Sequence, residues 1–153
     1  MFTWYNLFKF VHVGAVIVWL GGIVAVTLAS VRLVRERDGA RLLAFADQAE
    51  FLGRVLLGPG AALTMLAGLA MLPFMGWSFP FWVVWGLVGM VLAAAFARNL
   101  LRKAELEVVE LVATAEAEDP RLEGARRRLV LLNVVHIGIL LSIVWAMVFK
   151  PTL

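Results

Sequence analysis

The chain has 153 residues, of which 63% are hydrophobic and 16% charged, and its mean hydropathy is +0.92. An ordinary soluble domain is about half apolar and about a quarter charged, so this composition excludes a soluble globular domain. Cysteine is absent, which excludes disulfides, thiolate metal sites, iron–sulfur clusters and cysteine nucleophiles.

Three stretches contain no Asp, Glu, Lys or Arg: residues 10–31, 55–97 and 129–149. They are 22, 43 and 21 residues long. A helix needs roughly 20 apolar residues to cross a bilayer core of about 30 Å, so the middle stretch predicts two spans and each of the others predicts one. The sequence thus predicts an all-α, polytopic membrane protein in which residues 1–153 form one four-helix transmembrane domain.

The first span is expected over residues 10–31. The residues before it lack the basic region and small-residue cleavage site of a signal peptide, so we expect this span to be retained. It carries His12 and, seven residues later, Trp19, which therefore share one helical face.

Spans two and three, expected over residues 55–75 and 80–97, are separated by a short uncharged turn. This turn predicts a tight hairpin in which Ser78 caps the third span and Pro80 lies in its first turn. The fourth span is expected over residues 129–149.

The two connections at residues 32–54 and 98–128 contain 12 of the 14 Lys and Arg residues. The positive-inside rule places both in the cytoplasm, with the two chain ends on the opposite side. Apolar and charged residues interleave over residues 100–112, which predicts a helical extension of the third span. Asp38–Gly39 marks a helix break, and Asp119–Pro120 reads as an N-cap followed by a first-turn proline.

The basic residues flank membrane spans and are interleaved with acidic ones. Orientation and contact with lipid headgroups explain them, and no nucleic-acid partner is expected.

Each span carries small residues at four-residue spacing, which allow helices to pack closely. These are Gly21, Ala25 and Ala29; Gly60, Thr64 and Gly68; Gly89, Ala93 and Ala97; and Gly138, Ser142 and Ala146. They predict a compact bundle, and the core of a helical bundle is a common place for a cofactor.

The chain has two histidines, His12 and His136, and both lie in charge-free stretches. An ionisable side chain at membrane depth indicates a functional site, and neutral imidazole is a common haem ligand, so both are candidate axial ligands of haem b. The alternative is a buried histidine that bonds to a neighbouring helix. At 1.5 Å per residue His12 lies about 12 Å and His136 about 20 Å from the same membrane side. One haem on a single histidine with another sixth ligand, or two haems, therefore compete with bis-histidine ligation.

Two neighbours of the histidines are candidate cofactor residues. Trp19 provides a surface on which a planar cofactor could stack, although helix packing explains it as well. Asn133 lies one turn from His136 and could orient its imidazole by a hydrogen bond, or else belong to the packing.

Methionine thioethers are Cu(I) ligands, and Met65 falls near the expected depth of His12. Methionine is also an ordinary filler of apolar cores. The other methionines in apolar segments are Met71, Met75, Met90 and Met147. They support copper binding as the alternative to haem.

Residues 7–12 (LFKFVH) and 19–22 (WLGG) resemble the first span of the HemJ-type protoporphyrinogen oxidases and of CopD-like copper-resistance membrane proteins. Residues 54–59 (RVLLGP), followed by Leu63–Thr64 and Gly68–Leu69, resemble the second span of HemJ proteins.

Asn133 and Lys150–Pro151 resemble the last HemJ span. The chain is also similar to a family of predicted bacterial integral membrane proteins of unknown function, which has the same four spans and a similar Lys-Pro ending.

The HemJ resemblance implies haem b bound through His12 and oxidation of protoporphyrinogen IX. Two departures weaken the enzymatic part: the lysine that HemJ proteins carry in span three is absent, and His136 stands where that family tends to have proline. The expected function is a haem b-binding redox protein of the bacterial cytoplasmic (inner) membrane, active in electron transfer or HemJ-like porphyrin oxidation.

The alternatives are CopD-like copper transport or handling and a non-catalytic accessory subunit of a membrane complex. Expected partners are membrane lipid and either a membrane redox partner or a second copy of the chain.

Overall fold

The computed structural model describes residues 3–36, 39–114 and 119–151, and all regular structure in those ranges is helical. The helices are α1 (Trp4–Glu36), α2 (Gly39–Leu52), α3 (Gly58–Leu69), α4 (Phe81–Phe96), α5 (Arg102–Thr114) and α6 (Pro120–Phe149). A π-helical turn, Gly53–Leu57, joins α2 to α3, and a second one, Ala97–Leu101, joins α4 to α5.

Four helical stretches are long and apolar enough to cross a membrane: Trp4–Leu33, Leu43–Met75, Phe81–Thr114 and Pro120–Phe149. They confirm the predicted four-helix membrane bundle. Each has 30 to 34 residues. At 1.5 Å per residue they exceed an apolar core of about 30 Å, so each helix continues beyond the charge-free stretch that predicted it.

The bundle consists of two helix pairs. α1 packs along α3, and α4 packs along α6. The pairs meet where α1 contacts α6, at a cluster built on Ala93, Leu140 and Ile143 with Trp19 and Leu20 against it. This contact lies midway along α1. On the side toward the start of α1, the two pairs remain separated.

The end of the bundle at which α2 and α5 lie is called here the charged end. α5 packs on α6 through a buried cluster: Leu101, Ala104, Val108, Ala125 and Leu129. Ion pairs across helices join Arg102 to Glu50 at 3.2 Å and Arg128 to Glu107 at 3.3 Å. The predicted helical extension of the third span over residues 100–112 is therefore confirmed.

The opposite end carries the chain ends and the turn between α3 and α4, and is called here the cavity end. The prediction that Ser78 caps α4 is wrong. Gly76 and Trp77 both adopt left-handed backbone conformations, with φ of 65° and 54°, and reverse the chain before Ser78. Pro80 is the N-cap, its carbonyl accepts hydrogen bonds from the amides of Val83 and Val84, and α4 begins one residue later.

The predicted start of α6 is confirmed. Asp119 is the N-cap, and its carboxylate accepts a hydrogen bond of 2.8 Å from the backbone N–H of Arg121, with Pro120 in the first turn. Hydrogen bonds from the Arg121 side chain hold the pKa of Asp119 below its ordinary value. At the other predicted helix break, Asp38–Gly39, Gly39 begins α2. Asp38 lies outside the described residues.

The small residues divide into packed and unpacked positions. A Cβ added at Gly60 would lie 3.1 Å from Trp19 Cβ, and one at Gly89 would lie 2.6 Å from Ile143 Cγ1. Added at Gly21 or Gly138, it would meet no atom within 4 Å. Gly21 and Gly138 therefore face outward and do not take part in the close helix contacts that Gly60 and Gly89 allow.

Candidate functional site

A cavity of about 430 Å³ separates the two helix pairs at the cavity end. Ligand pockets in proteins commonly occupy about 300–1,000 Å³. Its floor is formed by residues of the cluster where the pairs meet: Trp19, Leu20, Met90, Leu140 and Ile143. At 1.5 Å per residue, the lining rises by about 21 Å along α1, from Trp19 to Tyr5, and by about 15 Å along the last helix, from Leu140 to Lys150. The cavity is thus a deep and mainly apolar cleft within the bundle.

His12 lies in this cavity, and its ring is fixed against α3. Its Nδ1 lies 2.8 Å from the backbone carbonyl oxygen of Thr64. A carbonyl oxygen only accepts hydrogen bonds, so Nδ1 carries the hydrogen, and in the neutral imidazole Nε2 keeps its lone pair. This is the arrangement in which a backbone carbonyl orients a metal-binding histidine.

Two residues of α3 make this contact possible. Gly68 lets the imidazole approach the helix backbone, since a Cβ at this position would lie 3.2 Å from both Nδ1 and Cε1 of His12. Thr64 is buried, its hydroxyl donates a hydrogen bond of 2.9 Å to the Gly60 carbonyl, and its own backbone carbonyl also accepts the bond from His12. Sequence reasoning placed these residues in a packing file and missed their role at His12.

Methionine residues line the same space. The sequence pointed to Met65 as the methionine nearest in depth to His12, and the structure places Met65 in the cavity lining. Four further methionines, from three chain segments, also line it: Met71, Met75, Met90 and Met147. The cavity therefore offers one imidazole and several soft sulfur donors within apolar walls.

Trp19 also lines the cavity, at its floor, and packs closely on Gly60 of α3. The packing role considered for Trp19 is thus present in the structure, and stacking of a planar cofactor on it stays a prediction.

The outer mouth of the cavity carries its charged groups. Lys9 and Lys150 are the charged residues in the lining, and Tyr5 and Trp82 lie with them. The Lys150 ammonium lies 5.2 Å from the centre of the Trp82 ring, within the range of a cation–π contact.

His136 lies outside this cavity. It is buried, with 6% of its surface exposed, and occupies α6 one turn beyond Leu140 toward the charged end. Its imidazole stacks on Phe96 of α4 with ring centres 6.0 Å apart. The structure therefore brings His136 together with α4 and not with His12.

Asn133 joins α6 to α1. Its side-chain carbonyl accepts a hydrogen bond of 3.2 Å from the Thr27 hydroxyl, and its amide donates one of 3.0 Å to the Leu129 carbonyl. Its amide group is thus engaged by Thr27 and Leu129, and it connects the helix pairs on the charged side of the cavity floor.

We expect Thr27→Val to destabilise the bundle, because it leaves the buried Asn133 carbonyl without the hydroxyl of α1. Interhelical hydrogen bonds in membrane proteins are worth about 0.6 kcal/mol on average and up to about 1.7 kcal/mol. The loss should appear in SDS-induced unfolding of the purified protein. Thr114→Val is the matched control, since the Thr114 hydroxyl donates to the Glu110 carbonyl within its own helix. Equal losses in both variants would contradict a special role for Thr27.

The fold and the cavity define the class: an integral membrane protein whose four spans enclose a histidine-containing apolar cleft. Residues 6–151 match the family described as "Predicted integral membrane protein (DUF2269)". The match covers nearly the whole chain, and the protein belongs to this family. It supports the predicted similarity to integral membrane proteins and does not support assignment to the HemJ or CopD families. No curated protein and no solved structure matches the chain.

Proposed function

We propose that the protein binds haem b in the cavity, with Nε2 of His12 as an axial ligand to the iron. The observation that carries this proposal is the hydrogen bond from His12 Nδ1 to the Thr64 carbonyl, which leaves Nε2 as the donor atom. Haem supplies one-electron redox chemistry, and the proposed role is electron transfer in the membrane or HemJ-like porphyrin oxidation.

The donor set of the cavity fits haem better than a bare metal ion. Across residues 3–36, 39–114 and 119–151, no group of three His, Cys, Asp or Glu side chains could hold a metal. A porphyrin brings four nitrogen donors of its own, so a single histidine is sufficient to hold the iron. The methionines provide thioethers for a sixth position, and a Met/His pair raises the reduction potential of haem.

The proposed location is the bacterial cytoplasmic membrane, with the charged end in the cytoplasm as the positive-inside rule requires. The cavity then faces the opposite side of the membrane. An electron-transfer role needs a membrane redox partner or a second copy of the chain, and the outward-facing apolar surface is in contact with lipid.

The absorption spectrum of the purified protein tests the proposal. The protein is expressed in cells supplied with a haem precursor and measured air-oxidised and then dithionite-reduced, with a pyridine haemochrome assay for haem type and stoichiometry. We expect a b-type spectrum with one haem per chain. A featureless visible spectrum would overturn the proposal.

Cu(I) binding is the second candidate, and the placement of five methionines with His12 in one cavity favours it. Cu(I) prefers soft thioether and imidazole ligands. Copper handling would use the same His12 Nε2 atom, so substitution of His12 alone does not separate the two candidates.

A variant with all five cavity methionines replaced by leucine separates the copper and haem proposals. If copper is the ligand, we expect this variant to retain about tenfold less Cu(I), because every thioether of the cavity is lost. The substituted residues are Met65, Met71, Met75, Met90 and Met147. Met and Leu have similar volumes, so the fold should tolerate the change.

Copper is measured by elemental analysis after reconstitution with Cu(I), and haem by its spectrum. If the ligand is instead haem held by His12, the variant keeps its haem. It then loses only the contribution that a methionine sulfur would make as a second protein ligand of the iron. A native protein that holds neither haem nor copper would favour the accessory-subunit role.

A further inference from the structure

The cavity is lined by two lysine side chains and by no Asp or Glu. All Asp and Glu residues lie between residues 36 and 123, so residues 1–35 and 124–153 contain none. Lys9 and Lys150 are the basic side chains of residues 1–31, 55–97 and 129–153, and both line the same cavity. Two cations at the mouth of an apolar cleft create a strong preference for an anionic ligand group.

Local structure holds both lysines at the mouth. Lys150 ends α6 in a left-handed conformation, and its backbone N–H bonds to the Ala146 carbonyl at 2.9 Å. Its ammonium is placed beside Trp82 of α4. Lys9 precedes His12 by three residues, so it lies one turn further out on the same face of α1.

The cavity walls reach the lipid-facing surface as well as the mouth. Four apolar lining residues are more than a third exposed: Val13 at 47%, Ile17 at 67%, Leu69 at 38% and Val148 at 68%. They are apolar and lie on α1, α3 and α6. In a bilayer such openings face acyl chains, so a ligand can reach the cavity from within the membrane.

We propose that the cavity takes a membrane-partitioned tetrapyrrole dicarboxylate, with its apolar macrocycle between the helix pairs and its two carboxylates bound by Lys9 and Lys150. This proposal rests on the proposed haem function, since it names the groups of the ligand that Lys9 and Lys150 recognise. Two ammonium groups match two carboxylates in charge. The position of Lys9 one turn outside His12 places the charged edge of the ligand at the mouth and its centre beside the imidazole.

Metal-free protoporphyrin IX tests the lysines without involving His12 as a ligand, because there is no iron to bind. The purified, haem-free full-length protein in uncharged detergent is titrated with protoporphyrin IX and, separately, with its dimethyl ester. Quenching of tryptophan fluorescence reports binding, since Trp19 and Trp82 line the cavity. The two probes share one macrocycle and differ only in the carboxylate charges.

We expect the native protein to bind the diacid about tenfold more tightly than the ester, as two partly exposed ion pairs allow. The double variant Lys9→Gln/Lys150→Gln should lose this preference and still bind the ester. Lys103→Gln, the third lysine of the chain, is the matched control because it lies at the charged end, and it should keep the full preference.

Equal affinity of the native protein for diacid and ester would overturn the proposal, as would an unchanged preference in the double variant. Displacement of protoporphyrin by palmitate, at concentrations below those at which protoporphyrin itself binds, would also overturn the proposal. This result would identify a fatty acid as the occupant. Failure of the haem proposal gives a different result: protein from haem-supplied cells then purifies without haem, while the native protein still prefers the diacid to the ester.

Discussion

Replacement of His12 by alanine should lower haem affinity by about a hundredfold or more, because removal of residues that merely orient a metal ligand already costs about 10–100-fold. His12 is the histidine of the cavity, and Nε2 is its free donor atom. The measurement is the Soret absorbance per chain of protein purified from haem-supplied cells. Added imidazole should restore part of the band, since the small molecule fills the space that the side chain leaves.

His136→Leu is the matched control for this experiment. His136 lies outside the cavity lining and stacks on Phe96, so its loss affects packing between α4 and α6 and not the iron. We expect this variant to keep one haem per chain. A Soret band that survives in His12→Ala and disappears in His136→Leu would exchange the roles assigned to the two histidines.

The second large effect concerns stability: Gly89→Val should destabilise the bundle by about 1–3 kcal/mol, the usual cost of overpacking a core. A Cβ at residue 89 would lie 2.6 Å and 2.9 Å from Cγ1 and Cδ1 of Ile143, which is itself buried. α4 and α6 would have to move apart at the floor of the cavity. SDS-induced unfolding of the purified variants measures the change.

Gly138→Val provides the comparison, because an added Cβ there meets no atom within 4 Å. We expect a change within about 0.5 kcal/mol, as for other surface substitutions. Similar losses at the two glycines would mean that they differ less in packing than the structure indicates.

The number of spans, and the helical extensions at the charged end, could be predicted from sequence because they depend on quantities that act along the chain. The bilayer sets the length of a charge-free stretch, so the absence of charge over residues 10–31, 55–97 and 129–149 is sufficient to count helices. Local chemistry also fixed the start of α6, since an Asp-Pro pair caps a helix within its own first turn. The start of α4 depended on the left-handed residues Gly76 and Trp77, and the Ser78 prediction failed there.

The composition of the site could be predicted only in part. His12, Trp19 and Met65 were singled out from sequence, and all three line the cavity. Whether Asn133 orients His136 depends on the rotamer and the neighbours of Asn133, which the sequence does not give. The structure shows its side chain bonded to Thr27 and Leu129. The role of Thr64 and Gly68 beside His12 depends on the approach of α1 to α3, which no local pattern encodes.

The pattern of apolar and charged residues is therefore enough to show that this protein is a bundle of four membrane-spanning helices and that two histidines lie within the apolar stretches. The packing of the helices in three dimensions places His12 in a cavity with five methionines and two lysines, and His136 against Phe96. The difference arises from the solvent. In water, an apolar stripe marks the face of a helix that is buried. In lipid, all faces of a helix are apolar, so close packing decides its rotation and its neighbours.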